Sequence, residues 1–271
     1  MKGGHDIAAA RHEIKGRRHP MSRYFRGCAQ SRGVICVTGP VSQPILMMNT
    51  APDSFSESLR HTHSTAWEAA TGNRFTTELV ADEINASTYA RYLTLDYAFI
   101  DALVATIGHA VAVAPGMPPK IRFAGFLAML TSEENDYFLR SFDALGLLAP
   151  RFDNPVSHPV VDRFNDLMAR QRARGTYLDV LAVLVPVEWV YLEWASKAVE
   201  SGTPAPARFY LSEWITLHAD PGFAAFVNWM RAEMDREAAG ASAGERARAE
   251  SAFVEALELE AAFFAAAYEA A

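Results

Sequence analysis

Residues 89–107 read YARYLTLDYAFIDALVATI. Apolar side chains recur there at three- and four-residue spacing, which is the period of an α-helix with one buried face. Asp96 lies on that face, beside Tyr92 and Ile100. Asp101 falls on the opposite side. The stretch therefore predicts a core helix that directs one carboxyl group towards the interior of the protein.

The same spacing continues from Pro52 onwards and predicts about eight helices, with no alternating run long enough for a strand. Gly and Pro cluster between these segments, at residues 71–73, 115–119, 150–159, 202–206 and 240–244. Such clusters end helices. Long helices joined by short loops pack as antiparallel neighbours. We therefore expect an all-α fold, a single-domain helical bundle over residues 48–271.

Charge is distributed unevenly along the chain. Residues 1–47 carry eight Lys and Arg against two Asp and Glu, and the remainder carries 17 against 30. We expect residues 1–47 to form a basic, poorly ordered or dispensable extension. The acidic remainder disfavours nucleic acid or an anionic membrane as its partner.

Both cysteines, Cys28 and Cys36, lie in the basic stretch. The remainder can therefore hold neither a disulfide framework nor a thiolate zinc site, as expected for a cytoplasmic protein. No uncharged apolar run reaches the roughly 18 residues that a membrane span needs. We expect neither a membrane nor a nucleic-acid partner.

Three more carboxyl groups fall within apolar stripes, those of Glu134, Glu188 and Glu260. Glu255 and Glu258 point the other way. A lone buried carboxylate costs several kcal/mol unless it is paired, hydrogen-bonded or protonated. Four inward acids on four helices indicate a shared polar cavity for a ligand or metals, with a purely structural network as the alternative.

Metal binding is disfavoured by the residue types near each acid. A di-iron site in a bundle normally uses Glu-x-x-His pairs, whereas the third residues after Glu134, Glu188 and Glu260 are aromatic. His109 and His218 remain possible ligands, although a lone histidine near a helix end more often caps the helix. Sequence signatures of nucleotide-binding, serine-hydrolase and zinc-protease sites are absent. The interpretation that remains is acid–base chemistry by carboxyl groups in a cavity with aromatic walls.

Four segments resemble motifs of the TenA (thiaminase II-like) family. Residues 92–100 (YLTLDYAFI) are similar to the family's Tyr-x-x-Gln-Asp-x-x-Tyr, which places Asp96 at the pyrimidine-binding Asp and Phe99 at a stacking aromatic. Residues 184–195 (LVPVEWVYLEWA) resemble Leu-Pro-Cys-x-Trp-x-Tyr, with Tyr191 at the active-site Tyr.

Residues 214–218 (WITLH) resemble the family's Trp-Ile-x-x-Tyr, with His218 in place of the Tyr. Residues 260–268 (EAAFFAAAY) resemble Glu-x-x-Phe-Trp-x-x-Ala-Tyr, which places Glu260 at the catalytic Glu. Val187 takes the place of the family's nucleophilic Cys. The resemblance therefore points to a subgroup that relies on Glu, with Glu188 as the candidate substitute.

The resemblance implies a haem oxygenase-like fold without haem and a homo-oligomer, dimer or tetramer. It implies hydrolysis of an amino- or formylamino-methylpyrimidine of thiamin salvage, without metal or organic cofactor. The expected catalytic residues are Glu260 and Glu188, and the expected substrate-binding residues are Asp96, Phe99, Tyr191, Glu134 and His218. Two alternatives stay open, a non-catalytic pyrimidine-binding or regulatory protein and a di-iron oxidase.

Overall fold

The structure, a computed structural model, describes residues 54–148 and 157–269. The expected basic extension, residues 1–47, lies outside them. The described ranges contain eleven α-helices, one π-helical turn and no strand, which confirms the all-α prediction. The helices are α1 (Phe55–Thr62), α2 (Ser64–Thr71), α3 (Arg74–Val80), α4 (Ala86–Val113), α5 (Met117–Met129), α6 (Asn135–Ala144), α7 (Pro159–Arg174), α8 (Tyr177–Glu200), α9 (Phe209–His218), α10 (Pro221–Gly240) and α11 (Ala243–Ala266).

The helix at the centre of the bundle is α8. Every residue from its start to Leu192 is buried, and α8 packs against α2, α4, α7, α9, α10 and α11. Thr176 caps its N-terminus by accepting a hydrogen bond from the Asp179 backbone N–H at 3.1 Å, and Gly175 supplies the left-handed turn (φ 77°) between α7 and α8. This tight connection makes the two helices antiparallel neighbours.

The second core helix, α4, packs against α5, α7 and α8. By length and composition alone it could cross a membrane, but 56% of its most apolar window is buried inside the bundle. It also carries the buried carboxyl group of Asp96. These are the features of a core helix in a soluble protein.

A π-helical turn, Leu130–Glu134, joins α5 to α6 without a break in the helix. It inserts one extra residue into the helical repeat. On one side Phe126 stacks on Phe226, with ring centroids 4.3 Å apart. On the other the Tyr137 hydroxyl donates to the Tyr210 carbonyl at 2.8 Å. The extra residue allows both ends of the long helix to bury their aromatic faces.

Candidate active site

A small cavity opens among α4, α5, the π turn, α8 and α9. The centre of a water molecule can occupy about 30 Å³ of it, which is room for about two waters. A pyrimidine ring therefore enters only if lining side chains change their rotamers. The lining residues are Asp96, Phe99, Ile100, Leu103, Phe126, Leu130, Glu134, Val187, Glu188, Tyr191, Trp214 and His218.

Six of the seven predicted site residues lie in this wall. The seventh, Glu260, is not among the lining residues. It is buried on α11, with 2% of its surface exposed, and the charges of Asp96 and Glu188 act on its carboxyl group. The structure thus brings together all four acids that the helical wheels place inward, although Glu134 is only half-buried.

Asp96 places a buried carboxyl group in the cavity wall. It is 6% exposed, and its Oδ2 has no hydrogen-bond partner among the described residues. Burial raises the pKa of this carboxyl to about 7, against the opposing effect of a hydrogen bond from Tyr92. A buried acceptor left without a donor is costly, so Oδ2 is suited to receive an N–H group of a ligand.

Burial also favours the protonated form of the other three acids. Burial, together with the charge of Asp96, raises the pKa of Glu188 to about 8. Burial and neighbouring carboxylates place the pKa values of Glu134 and Glu260 well above their usual range. Protonated carboxyl groups in a closed site can donate a proton or a hydrogen bond.

Tyr92 connects three elements of the site. Its hydroxyl accepts a hydrogen bond from Trp214 Nε1 at 3.1 Å and lies 2.9 Å from the Tyr191 hydroxyl. These bonds fix Tyr191 of α8 and Trp214 of α9 relative to α4. The sequence identifies Tyr92 and Trp214 only as core and motif residues. Helical spacing is the same for an aromatic side chain that fills the core and for one that positions site residues.

His218 is neutral in this environment. Its Nδ1 lies 2.9 Å from the Trp214 carbonyl oxygen, and a carbonyl only accepts, so Nδ1 carries the proton. Burial lowers the pKa of the imidazole to about 4. The ring packs against Tyr191 and Trp214, at centroid distances of 4.8 and 4.3 Å. Its Nε2 therefore keeps a lone pair and can only accept.

The aromatic wall and the position beside Glu188 complete the cavity. Phe99 rests edge-on against Phe164, with ring centroids 5.0 Å apart. Val187 and Glu188 both line the cavity although they point about 100° apart on the helix. This is possible because α8 is buried on every side at this level.

The described residues contain no group of three or more His, Cys, Asp or Glu side chains that could hold a metal ion. His109 does not line the cavity. The geometry gives no support to the di-iron alternative.

The all-α bundle has the haem oxygenase-like fold. The chain belongs to the TENA/THI-4/PQQC family, whose sequence model matches residues 62–270. This confirms the family that the four motifs indicate.

Comparison with individual proteins agrees with the family. The chain is 24% identical over 215 residues to the aminopyrimidine aminohydrolase of Halalkalibacterium halodurans, a match that covers 79% of this chain and 96% of that one. It superposes on a TenA homologue from Pyrococcus furiosus with a TM-score of 0.70 at 20% identity, over 79% of this chain and 100% of that one. A TenA family transcription regulator from Silicibacter sp. TM1040 gives 0.71 at 20% identity, over 79% and 97%.

Proposed function

We propose that this protein hydrolyses an aminopyrimidine of thiamin salvage, 4-amino-5-aminomethyl-2-methylpyrimidine or its N-formyl derivative, with carboxyl groups in place of the family thiolate. The observation that carries the proposal is the buried Oδ2 of Asp96 in the cavity wall, which has no hydrogen-bond partner among the described residues. Similarity to an aminopyrimidine aminohydrolase over most of the chain supports the choice of substrate.

In this scheme Asp96 binds the edge of the ring that carries the 4-amino group. A carboxyl group there accepts an amine N–H and hydrogen-bonds the adjacent ring nitrogen. Drawing a proton from that edge pushes electrons towards the exocyclic methylene, where the C–N bond breaks and the amine departs. Phe99 and Tyr191 form the walls against which the ring lies.

Glu260 is the proposed general acid and base. Its raised pKa favours the protonated form, so its carboxyl group first gives a proton to the departing amine nitrogen. The carboxylate that remains then removes a proton from the water whose oxygen bonds to the methylene carbon. When the substrate is the aminomethyl pyrimidine, the products are the hydroxymethyl pyrimidine and ammonia. Glu188 or Glu134 orients the water, because both carboxyl groups lie in the cavity wall.

A second candidate is a pyrimidine-binding regulator without turnover. A relative of the same fold is described as a transcription regulator, and the replacement of the family Cys by Val187 favours a protein that has lost catalysis.

Incubation of the protein with the aminopyrimidine, the formylaminopyrimidine and thiamin, with detection by chromatography and by ammonia and formate assays, tests the proposal. We expect the hydroxymethyl or aminomethyl product from at least one pyrimidine. Glu260→Gln should lower the rate about a hundredfold or more, whereas the matched change Glu258→Gln, at an exposed position of the same helix, should leave it unchanged. Binding of the pyrimidines without any product would favour the regulator.

We also propose a cytoplasmic location, a homo-oligomeric assembly of two or four chains, and a catalytic domain that spans residues 48–271. The family resemblance and the charge distribution of the chain support these assignments.

A further inference from the structure

A second concave surface lies outside the central cavity, between α3 and the C-terminal end of α8. Water centres can occupy about 360 Å³ of this α3–α8 groove, against about 30 Å³ of the central cavity. Val80 of α3 and Trp194 and Ala198 of α8 give it apolar walls. The groove therefore has room for a ligand with a single ring and an apolar surface on which that ring can pack.

Trp194 brings an unused hydrogen-bond donor to the groove. The side chain is 3% exposed, and its Nε1 has no acceptor among the described residues. The indole contacts Tyr191 and His218, at ring-centroid distances of 6.0 and 6.2 Å. A buried N–H without an acceptor is costly. A ligand with an apolar body can bring an acceptor to it, because burial of that body offsets a small displacement of the groove wall.

Lys197 supplies positive charge on the same face of α8. It follows Trp194 by three residues, so the two side chains are neighbours on the helix surface. Its ammonium group pairs with Glu193 at 2.9 Å, an exposed pair that holds the lysine only weakly. Of the described residues that line the groove, none is Asp or Glu. An anion in the groove therefore meets a positive charge and no carboxylate in the wall.

The α2 and α3 side of the groove offers its hydroxyl groups mainly as acceptors. Thr71 donates to the Trp67 carbonyl at 2.9 Å, and Thr76 and Thr77 both donate to the Asn73 carbonyl at 3.0 Å. These hydroxyl hydrogens are already in use. An anionic group is therefore drawn to the α8 side of the groove, and the rest of the ligand lies towards α3.

We propose that the α3–α8 groove is a second ligand site, separate from the central cavity, for a small aromatic carboxylate. The carboxylate accepts charge-assisted hydrogen bonds from Nε1 of Trp194 and from the ammonium group of Lys197. The ring packs on Val80 and Ala198. The site is independent of the reaction proposed for the central cavity.

Titration with phenylacetate tests the site in the full-length protein, labelled with ¹⁵N in its tryptophan indoles and observed by NMR. The chain contains five tryptophans, and Trp194→Phe identifies the Trp194 signal by its loss. We expect this signal to move downfield to saturation, and further than any other indole signal, because its N–H gains an acceptor. A Trp194 signal that stays in place, as when a second copy of the chain covers the groove, would overturn the proposal. Movement confined to Trp214, which lines the central cavity, would overturn it as well.

The affinities then measure the contribution of the indole and of the charge. Phenylacetate should bind at least about fivefold more tightly than phenylacetamide, which has the same body without the charge. Trp194→Phe keeps a ring but lacks the N–H, and should weaken phenylacetate binding about tenfold. The matched change Trp67→Phe removes another buried indole N–H that has no partner among the described residues and lies outside the groove, so it should leave the affinity unchanged. Equal affinities for the acid and the amide would refute a carboxylate site.

Two further substitutions keep the test decisive if Trp194→Phe loses its helical circular dichroism. Lys197 is exposed, and Lys197→Gln should lower the preference for phenylacetate over phenylacetamide at least about threefold. Glu193→Gln removes the competing carboxylate and should raise the affinity for phenylacetate about twofold or more. A preference that neither substitution alters would show that the carboxylate binds elsewhere, contrary to the proposal.

Discussion

At the scale of single residues, the carboxyl group of Glu188 shows how the site affects stability. Its pKa is about 8 in the folded protein, because it is buried and lies near Asp96, against 4.5 ordinarily. Below pH 4.5 both the folded and the unfolded chain hold this proton. As the pH rises from 4.5 to 8 the unfolded chain releases it while the folded chain keeps it, so the free energy of unfolding falls by up to about 1.4 kcal/mol per pH unit.

Glu188→Gln removes this titration and should therefore change stability in a pH-dependent way. We expect the variant to match the parent protein at pH 5 and to exceed its free energy of unfolding by roughly 2 to 4 kcal/mol at pH 8. Urea denaturation at the two pH values measures the difference, with Glu258→Gln as the exposed control. A variant that is equally destabilised at both values would show that Glu188 is held as a partnered, structural group.

The burial of the acids could be predicted from the sequence, whereas their connections could not. Helical wheels place Asp96, Glu188 and Glu260 inward, and the structure confirms that all three are buried. A wheel describes one helix at a time, so it cannot show that the Tyr92 hydroxyl meets Trp214 of α9. Contacts between helices depend on packing that single-helix periodicity does not contain.

At the scale of helices, the π turn is the element that the sequence does not reveal. A pattern drawn at 100° per residue assumes a uniform helix and passes through residues 130–134 without a break. The stretch before the predicted break at residues 71–73 also differs from expectation, because it divides at His63 into α1 and α2.

The π turn should be required for the position of Glu134. Deletion of Ser132, which is exposed, shortens the turn to an α-helical one, because Phe126 and Tyr137 anchor the helix on either side. We expect the Glu134 carboxyl to rotate out of the cavity wall and affinity for the aminopyrimidine to fall at least about tenfold, with helical circular dichroism retained. Ser132→Ala, which keeps the residue count, should bind normally. Unchanged affinity in the deletion variant would show that Glu134 takes no part in binding.

A second element-level contact joins α1 to α10. The Arg231 guanidinium lies over Trp189, with Cζ 3.6 Å from the ring centroid, and pairs with Glu57 of α1. Asp235 accepts from the backbone N–H of Ser56 at 2.7 Å. These contacts hold the short α1 against the bundle.

Arg231→Met should therefore lower the free energy of unfolding by about 2 to 4 kcal/mol, because it removes a buried ion pair and a cation–π contact. Arg236→Met on the same helix is the matched control. Arg236 is exposed and pairs with Glu233 three residues away, so its loss should cost less than about 1 kcal/mol. Equal values for the two variants, measured by urea denaturation, would show that the buried pair contributes nothing beyond a surface pair.

At the scale of the whole molecule, residues 1–47 differ from the rest of the chain in charge and in cysteine content. Residues 1–47 hold the basic excess and both cysteines, and the family match begins at residue 62. The proposed catalytic domain, residues 48–271, therefore contains no sulfhydryl group. This separation makes the chemistry of the site testable without altering any cavity residue.

A chain that starts at Met48 should keep the activity and the melting temperature of the full chain, and iodoacetamide should not inhibit it, because a carboxyl-based mechanism offers the reagent no thiolate. Val187→Cys in the shortened chain is the positive control, since Val187 lines the cavity and a thiol there should make turnover sensitive to the reagent. A lower melting temperature of the shortened chain would show that residues 1–47 dock on the domain. Inhibition of the unsubstituted shortened chain at unchanged circular dichroism would contradict the carboxyl mechanism, because it would show that turnover depends on an alkylatable group that the mechanism does not include.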